Sequence, residues 1–308
     1  MTTTCTRHEW QAPDGETFSY SLWNLPAGEN PRAVVIAIHG LSGAALDFEP
    51  LGRPLTGHGV VTIALELRGQ GNDPRRERRG DLVQTGDWFR DLAAFFSLVR
   101  SRWSGAQIYV YGESMGAALS IRFLAQAAEI DQPAGLVLAS PVVVMPSKPG
   151  WWREQVFRFL HWARPTHRIN VRKFTKPKKN EPPKLVTRDE AHRRWFETAS
   201  HKLDCFTIRF FKNLHDLIDG CLADAPKIRA PVLVIYAEHD IFIPPKLVEK
   251  FFARLGSREK ELRFFPEAYH LLLHDHDKAE VLDRIEAWLL RRIEVTARRQ
   301  TAEARFAI

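Results

Sequence analysis

Apolar positions along the chain follow two rhythms that take turns. Continuous branched-apolar runs recur at "AVVIAIHG", "GVVTIALELRGQG", "QIYVYG", "GLVLASP" and "PVLVIYAEHD", with the more mixed "ELRFFPEAYH" after them. Such runs fit strands covered on both faces, the condition of a parallel sheet under helices. Between them, "DWFRDLAAFFSLVRSRW", the stretch after "YGESMG", and residues 247–255 and 281–293 space their apolar side chains as helices do. At the start, "RHEWQAP" and "TFSYSLW" flank an Asp14-Gly15 turn and predict a hairpin. Strand and helix alternating from end to end predict a doubly wound α/β sheet.

One stretch breaks the alternation. Residues 141–205 carry prolines, basic residues and tryptophans but no apolar strand, and the sheet pattern resumes only near Pro231. A segment that long inside a compact domain predicts an inserted element rather than a connection. The expected organisation is a core of 1–140 and 206–308 with a cap at 141–205. Charge sharpens this division. The net charge is +7, yet 141–205 holds fifteen Lys and Arg against six Asp and Glu, so the remainder is slightly acidic. The basicity belongs to the insertion, and no recognisable nucleic-acid module accompanies it.

Composition adds little else. At 308 residues and 44% hydrophobic content the chain can bury a large core. The first residues lack the basic start and apolar core of a secretory signal, and the longest apolar run is far short of the roughly 20 residues that span a bilayer. Three scattered cysteines indicate neither a disulfide framework nor a zinc knuckle. The expectation is a soluble cytoplasmic protein with reduced thiols.

The chemistry begins at "YGESMG". Ser114 lies between Gly112 and Gly116 where a strand gives way to a helix, the strained turn that lifts a nucleophilic hydroxyl above the end of a sheet. A serine needs a positioned imidazole, and the imidazole a carboxylate. Asp240 ends "PVLVIYAEHD" and His270 ends "ELRFFPEAYH", in the order Ser, acid, His. Glu238 is the alternative acid, and the spacing of His270 and His274, near His276, allows a metal reading for which no third ligand is evident. His39 reads as a packed histidine before the Gly40 turn. Two donors must face the developing oxyanion: the backbone amide of Met115, and one from "HGLSG", with Leu41 preferred over Ser42.

"IHGLSGAALDFEPLGRPLTGHG", "ELRGQG", "VYGESMGAAL", "YAEHD" followed by "IPP", and "PEAYHLLLHD" together resemble the monoacylglycerol lipase and lysophospholipase branch of the α/β-hydrolases, also described as serine-aminopeptidase-like. The resemblance runs over about residues 10–290. It implies an α/β-hydrolase fold with a mostly parallel eight-stranded sheet, Ser114, Asp240 and His270 as the triad, Leu41 and Met115 as oxyanion donors, and ester hydrolysis without cofactor or metal. Two features depart from the family. Its aspartate-x-Arg-Gly-x-Gly-x-Ser motif is here "ELRGQGND", where residues 68–71 read as structural, and the cap is longer and more basic.

The cap bears on substrate. "WWREQVFRFLHWARP" predicts an amphipathic helix, with Trp151, Trp152 and Phe157 as candidate substrate-binding residues. Its aromatics either pack down on the sheet and line an acyl pocket, or meet an anionic membrane surface. "RKFTKPKKNEPPK" reads as a solvated basic loop. The functional expectation is a serine hydrolase of monoacylglycerol- or lysophospholipid-like esters. The same triad would serve an amidase, peptidase or thioesterase, and a silent scaffold that binds lipid or protein through the cap is the alternative of another class.

Overall fold

In the computed structural model residues 5–126, 132–145, 150–172 and 184–306 are described. The strands are β1 (Cys5–Gln11), β2 (Thr17–Trp23), β3 (Ala33–Ile38), β4 (Val60–Leu65), β5 (Gln107–Glu113), β6 (Gly135–Ala139), β7 (Arg168–Asn170), β8 (Cys205–Thr207), β9 (Val232–His239) and β10 (Lys260–Tyr269). Eight of them form one sheet in the order β1-β2-β4-β3-β5-β6-β9-β10. The pairs from β4 through β3, β5, β6 and β9 to β10 are parallel. The predicted hairpin joins this sheet at its edge: β1 pairs with β2, and β2 with β4, both antiparallel.

The continuous apolar runs are explained by coverage on both sides. In β3, Val34, Ile36 and Ile38 enter one buried cluster while Ala33, Val35 and Ala37 enter another. Because side chains alternate across a strand, these are the two faces of the sheet. Helices α1 (Glu49–Thr56), α2 (Thr85–Arg102), α3 (Met115–Leu124), α4 (Trp151–Ala163), α5 (Glu190–Thr198), α6 (Ile208–Asp219), α7 (Pro245–Arg254) and α8 (Lys278–Phe306) follow in chain order. α2, α3, α6 and α7 cover the first face; α1 and α8 cover the second. On α2 the buried residues Trp88, Leu92, Phe95, Phe96 and Val99 recur at helical spacing, and burying each such side chain contributes roughly 1.5–3 kcal/mol.

Strand order reverses at β3, whose successor β4 lies on one side and β5 on the other. In an open α/β sheet such a switch point leaves a crevice at the carboxyl ends of the strands. Here the two loops flanking it are "HGLSG" after β3 and Ser114 after β5.

Between β6 and β9 the chain leaves the main sheet. β7 and β8 pair antiparallel with each other, so this small sheet straddles residue 205, and α6 intervenes before β9. The basic loop expected at 172–184 lies almost wholly outside the described residues. α4 forms where the sequence predicts a helix, but its aromatics do not pack on the sheet: Trp151, Trp152, Phe159 and Trp162 are 76%, 60%, 62% and 78% exposed. At 100° per residue these four, with Val156 and Leu160, fill one continuous half of the helix. Only Phe157 and His161, on the other half, are partly buried, because the helix rests on α6 through its less apolar side. Among the described residues no helix is long and apolar enough to cross a membrane.

The loop after β4 is locked by charge. Arg68, 7% exposed, makes a bidentate pair with buried Asp91 at 2.8 and 2.9 Å and a third contact to Asp14 at 2.7 Å, with its guanidinium over the Phe18 ring. This ties the loop to α2 and to the hairpin turn. Asp91→Ala removes two charge-assisted hydrogen bonds and leaves Arg68 with Asp14 and Glu16 as partners, so it is expected to lower unfolding free energy by about 1.5–3 kcal/mol in urea titrations. A loss under about 1 kcal/mol, the worth of an exposed ion pair, would contradict this role.

Candidate active site

The turn after β5 is as tight as the sequence requires. Ser114 has φ +54°, a left-handed conformation that a serine adopts only where the surroundings enforce it. A Cβ on Gly116 would meet the Ile38 carbonyl oxygen at 2.1 Å, and one on Gly112 would meet Ala117 Cα at 2.8 Å. Gly116 is therefore demanded by the close packing of α3 on the end of β3, and Gly112 by the fold of α3 back against its own strand β5. The Ser114 amide donates to the Ala139 carbonyl at 2.9 Å, which fixes the turn to the end of β6.

Ser114, Asp240 and His270, separated by up to 156 positions, meet above these strand ends. His270 Nε2 lies 2.9 Å from Ser114 Oγ, and His270 Nδ1 lies 2.6 Å from Asp240 Oδ2. With Nδ1–H donating to the carboxylate, Nε2 is left to accept the serine proton. Asp240 Oδ1 accepts from the amides of Phe242 and Ile243 at 2.8 and 3.2 Å, so both carboxylate oxygens are occupied. Phe242 packs edge-on against the imidazole, ring centroids 4.6 Å apart. Glu238 is exposed on β9 and makes no hydrogen bond to His270 among the described residues.

The loop carrying His270 is held from two sides. Asp275 accepts from the Tyr269 amide at 2.7 Å and pairs with Arg188, while the Leu271 amide donates to the Val186 carbonyl at 2.9 Å. Residues 186–188 thus strap the histidine loop. His274 Nε2 donates to the Asp47 carbonyl at 2.9 Å. Among the described residues no group of three or more His, Cys, Asp or Glu side chains is arranged to hold a metal ion.

The candidate oxyanion donors lie on either side of the serine. Met115 opens α3, and the first amides of a helix have no partner within it. Gly40 abuts Ser114: a Cβ there would sit 3.0 Å from Ser114 Cβ and 3.5 Å from Oγ. Beyond it, the Ser42 amide donates to Gln70 Oε1 at 3.0 Å and is thereby committed, whereas the Leu41 amide has no protein acceptor among the described residues. His39 Nδ1 donates to the Gly40 carbonyl while Nε2 accepts from the Leu67 amide, and burial pushes its imidazole down to about 4. It is a neutral, packed histidine. Trp151 and Trp152 stand exposed at the start of α4 with Phe157 half-buried, and no ring contact joins them to the triad among the described residues. A cavity of about 550 Å³, bounded in part by Leu46, Asp47, His192, Trp195 and His274, does not include the triad.

Sequence reasoning missed a layer of buried carboxyls behind the site. Glu113, 7% exposed and adjacent to Ser114, is pushed up to about 7 by burial, with His270 partly offsetting this. Asp47 is likewise pushed up to about 7 by burial and by the nearby Glu113 and Glu66. Their only signal was position, one in the turn itself and one in the loop after β3.

The family model described as "Serine aminopeptidase, S33" matches residues 29–277. The chain belongs to this α/β-hydrolase family. The monoglyceride lipase of Saccharomyces cerevisiae is 23% identical to it over 308 residues, covering 93% of this chain and 94% of that protein. A crystal structure of a soluble variant of that yeast lipase, in complex with a substrate analog, matches the fold with a TM-score of 0.80 at 21% identity, covering 95% of this chain and 96% of the other. This chain spans 28% of the length of an uncharacterized abhydrolase domain-containing protein of Dictyostelium discoideum, to which it is 23% identical.

The raised carboxyls set a pH dependence. A group whose pKa is higher folded than unfolded binds more protons when folded, so its stabilisation is lost as pH rises toward the folded value. For Glu113 that window runs from its ordinary 4.5 to about 7. His39 and His274, lowered to about 4 and about 3, act in the opposite sense, so the difference between variants isolates the carboxyl. The melting temperature of Glu113→Gln relative to wild type is expected to rise from pH 5 to about pH 7 and to level off above it in thermal scans. Parallel curves would contradict the buried, proton-holding glutamate.

Proposed function

We propose that the protein is a serine hydrolase of carboxylic esters, acting on monoacylglycerol- or lysophospholipid-like lipids through an acyl-enzyme. The observation that carries this reading is the single imidazole bridging Ser114 and Asp240 at 2.9 and 2.6 Å. His270 Nε2 takes the hydroxyl proton as Ser114 Oγ attacks the acyl carbon. Asp240 keeps the imidazole in the right tautomer and stabilises the imidazolium. The Leu41 and Met115 amides receive the oxyanion, each such donor being worth about 10²–10³ in rate. His270 then protonates the leaving alcohol, and water deprotonated by the same nitrogen releases the acid. Every step uses groups of the chain itself. The glycerol-ester preference is supported by the full-length relative called monoglyceride lipase.

Residues 141–205 serve in this reading as a cap whose α4 brings the enzyme to its substrate. The apolar half of α4 faces away from the protein, flanked by Arg153, Arg158 and Arg164 in a segment strongly rich in Lys and Arg. Aromatic and basic residues so placed suit the headgroup boundary of an anionic bilayer.

A fluorophosphonate should add once to the wild type, at Ser114, and not to Ser114→Ala, while Asp240→Asn should remain folded and lose up to about 10⁴ in kcat on a monoacylglycerol. Labelling that survives in Ser114→Ala would overturn the nucleophile assignment. In sedimentation with vesicles, the wild type should bind phosphatidylcholine containing phosphatidylglycerol more than phosphatidylcholine alone. Phe159→Ser/Trp162→Ser should reduce that binding at least tenfold with turnover of a soluble nitrophenyl ester unchanged. Equal binding of variant and wild type would remove α4 from the docking role.

A further inference from the structure

The loop bearing the Leu41 amide is pinned by side chains that have no part in the triad. The Ser42 amide donates to Gln70 Oε1 at 3.0 Å, that of Ala44 to Asp47 Oδ2 at 2.8 Å and that of Ala45 to Glu66 Oε1 at 3.1 Å. The Gly43 amide turns back to the Gly40 carbonyl at 3.1 Å. From Leu41 to Ala45, only Leu41 has an amide with no protein acceptor among the described residues. The arrangement therefore singles out one donor, beside the nucleophile, by occupying its neighbours.

Gln70 is the informative member of this set. Its side chain is 0% exposed, Oε1 bonds the Ser42 amide, and Nε2 has no partner among the described residues. Burying an amide with an unpaired Nε2 costs about 1–3 kcal/mol, which an apolar side chain of the same length would avoid. The residue it holds, Ser42, has φ +58°, a left-handed conformation that a serine does not adopt freely. The hydroxyl of Ser42 adds a second anchor, donating to the Leu203 carbonyl at 3.1 Å.

We infer that Gln70 is a positioning residue for the oxyanion site: its carbonyl oxygen holds Ser42 in the left-handed region and so turns the preceding Leu41 amide toward the substrate oxygen. The inference rests on the serine-hydrolase reading above. Gln70 reaches no reacting atom; it acts through the backbone of its neighbour. Misplacing a catalytic group by about 1 Å can cost about 10²-fold in rate, and Gly40 of the same loop leaves no room for a Cβ beside Ser114, so a released Ser42 would blunt the donor without emptying the substrate site.

The test is steady-state hydrolysis of a monoacylglycerol by Gln70→Met, with active sites counted by fluorophosphonate titration. Because the oxyanion forms only in the transition state, kcat per titrated site and kcat/KM should fall together by about 10- to 10²-fold with KM unchanged. Wild-type kcat per site, even with a lowered melting temperature, would make Gln70 a purely structural residue and overturn the inference. Should Gln70→Met alone not fold, Ser42→Gly/Gln70→Met supplies the protein, since glycine takes this φ without strain. Its turnover is expected to fall by the same factor relative to Ser42→Gly, and equal turnover of those two would overturn the inference. An inactive wild type would sink the hydrolase reading and the positioning role together, whereas an active wild type with an equally active Gln70→Met sinks the positioning role alone.

Discussion

The close approach of α3 to the end of β3 is the constraint on which the rest depends. The chain reverses from β5 into α3 so abruptly that the residue at the corner must take φ +54° and the residue two places on can carry no side chain, since the Ile38 carbonyl oxygen occupies that space. The strain at Ser114 is balanced by the sheet around it, through the Ala139 carbonyl and the packed face of α3. One consequence is a hydroxyl raised above the strand ends; another is that Met115, the next residue, opens α3, where the first amides have no partner within the helix. The crevice at the switch point between β3 and β5 then brings the loop after β3 to the other side of the serine.

Around that corner the molecule buries an unusual amount of polar chemistry, and most of it positions backbone. Glu66, Gln70, Asp47 and His39 each bond an amide or carbonyl of residues 40–45. Asp240 spends one oxygen on the imidazole and the other on two amides of its own loop. Asp275 performs the corresponding task for the loop of His270. Flexible loops at the ends of a rigid sheet are thereby given single conformations, and the triad's geometry follows from those loops.

Much of this was legible in the sequence because it repeats. Strands covered on both faces announce themselves as unbroken apolar runs; Ser114 and Asp240 stand just past two of them, and His270 follows the more mixed run of the edge strand β10. The serine's two glycines carry a local, readable cause. The remainder has no period to read. Gln70 and Glu66 act on residues 28 and 21 positions away through side-chain-to-backbone bonds, so residues 68–71 looked only structural. The edge pairing of β2 with β4 depends on where the hairpin lands, not on its own pattern. Amphipathicity predicts that α4 has an apolar half but not that this half turns outward; what decides it is that the helix rests on α6 through Phe157 and His161.

In the proposed reading, Ser114, His270, Asp240 and the Leu41 and Met115 amides converge on one reacting atom. The most direct measurement is a crystal structure of the protein after reaction with a fluorophosphonate, whose tetrahedral phosphorus mimics the intermediate. The account predicts phosphorus bonded to Ser114 Oγ, with one phosphonyl oxygen about 2.7–3.1 Å from both the Leu41 and Met115 amide nitrogens. Phosphorus on another side chain, or an adduct at Ser114 whose oxygen lies out of reach of both amides, would contradict it.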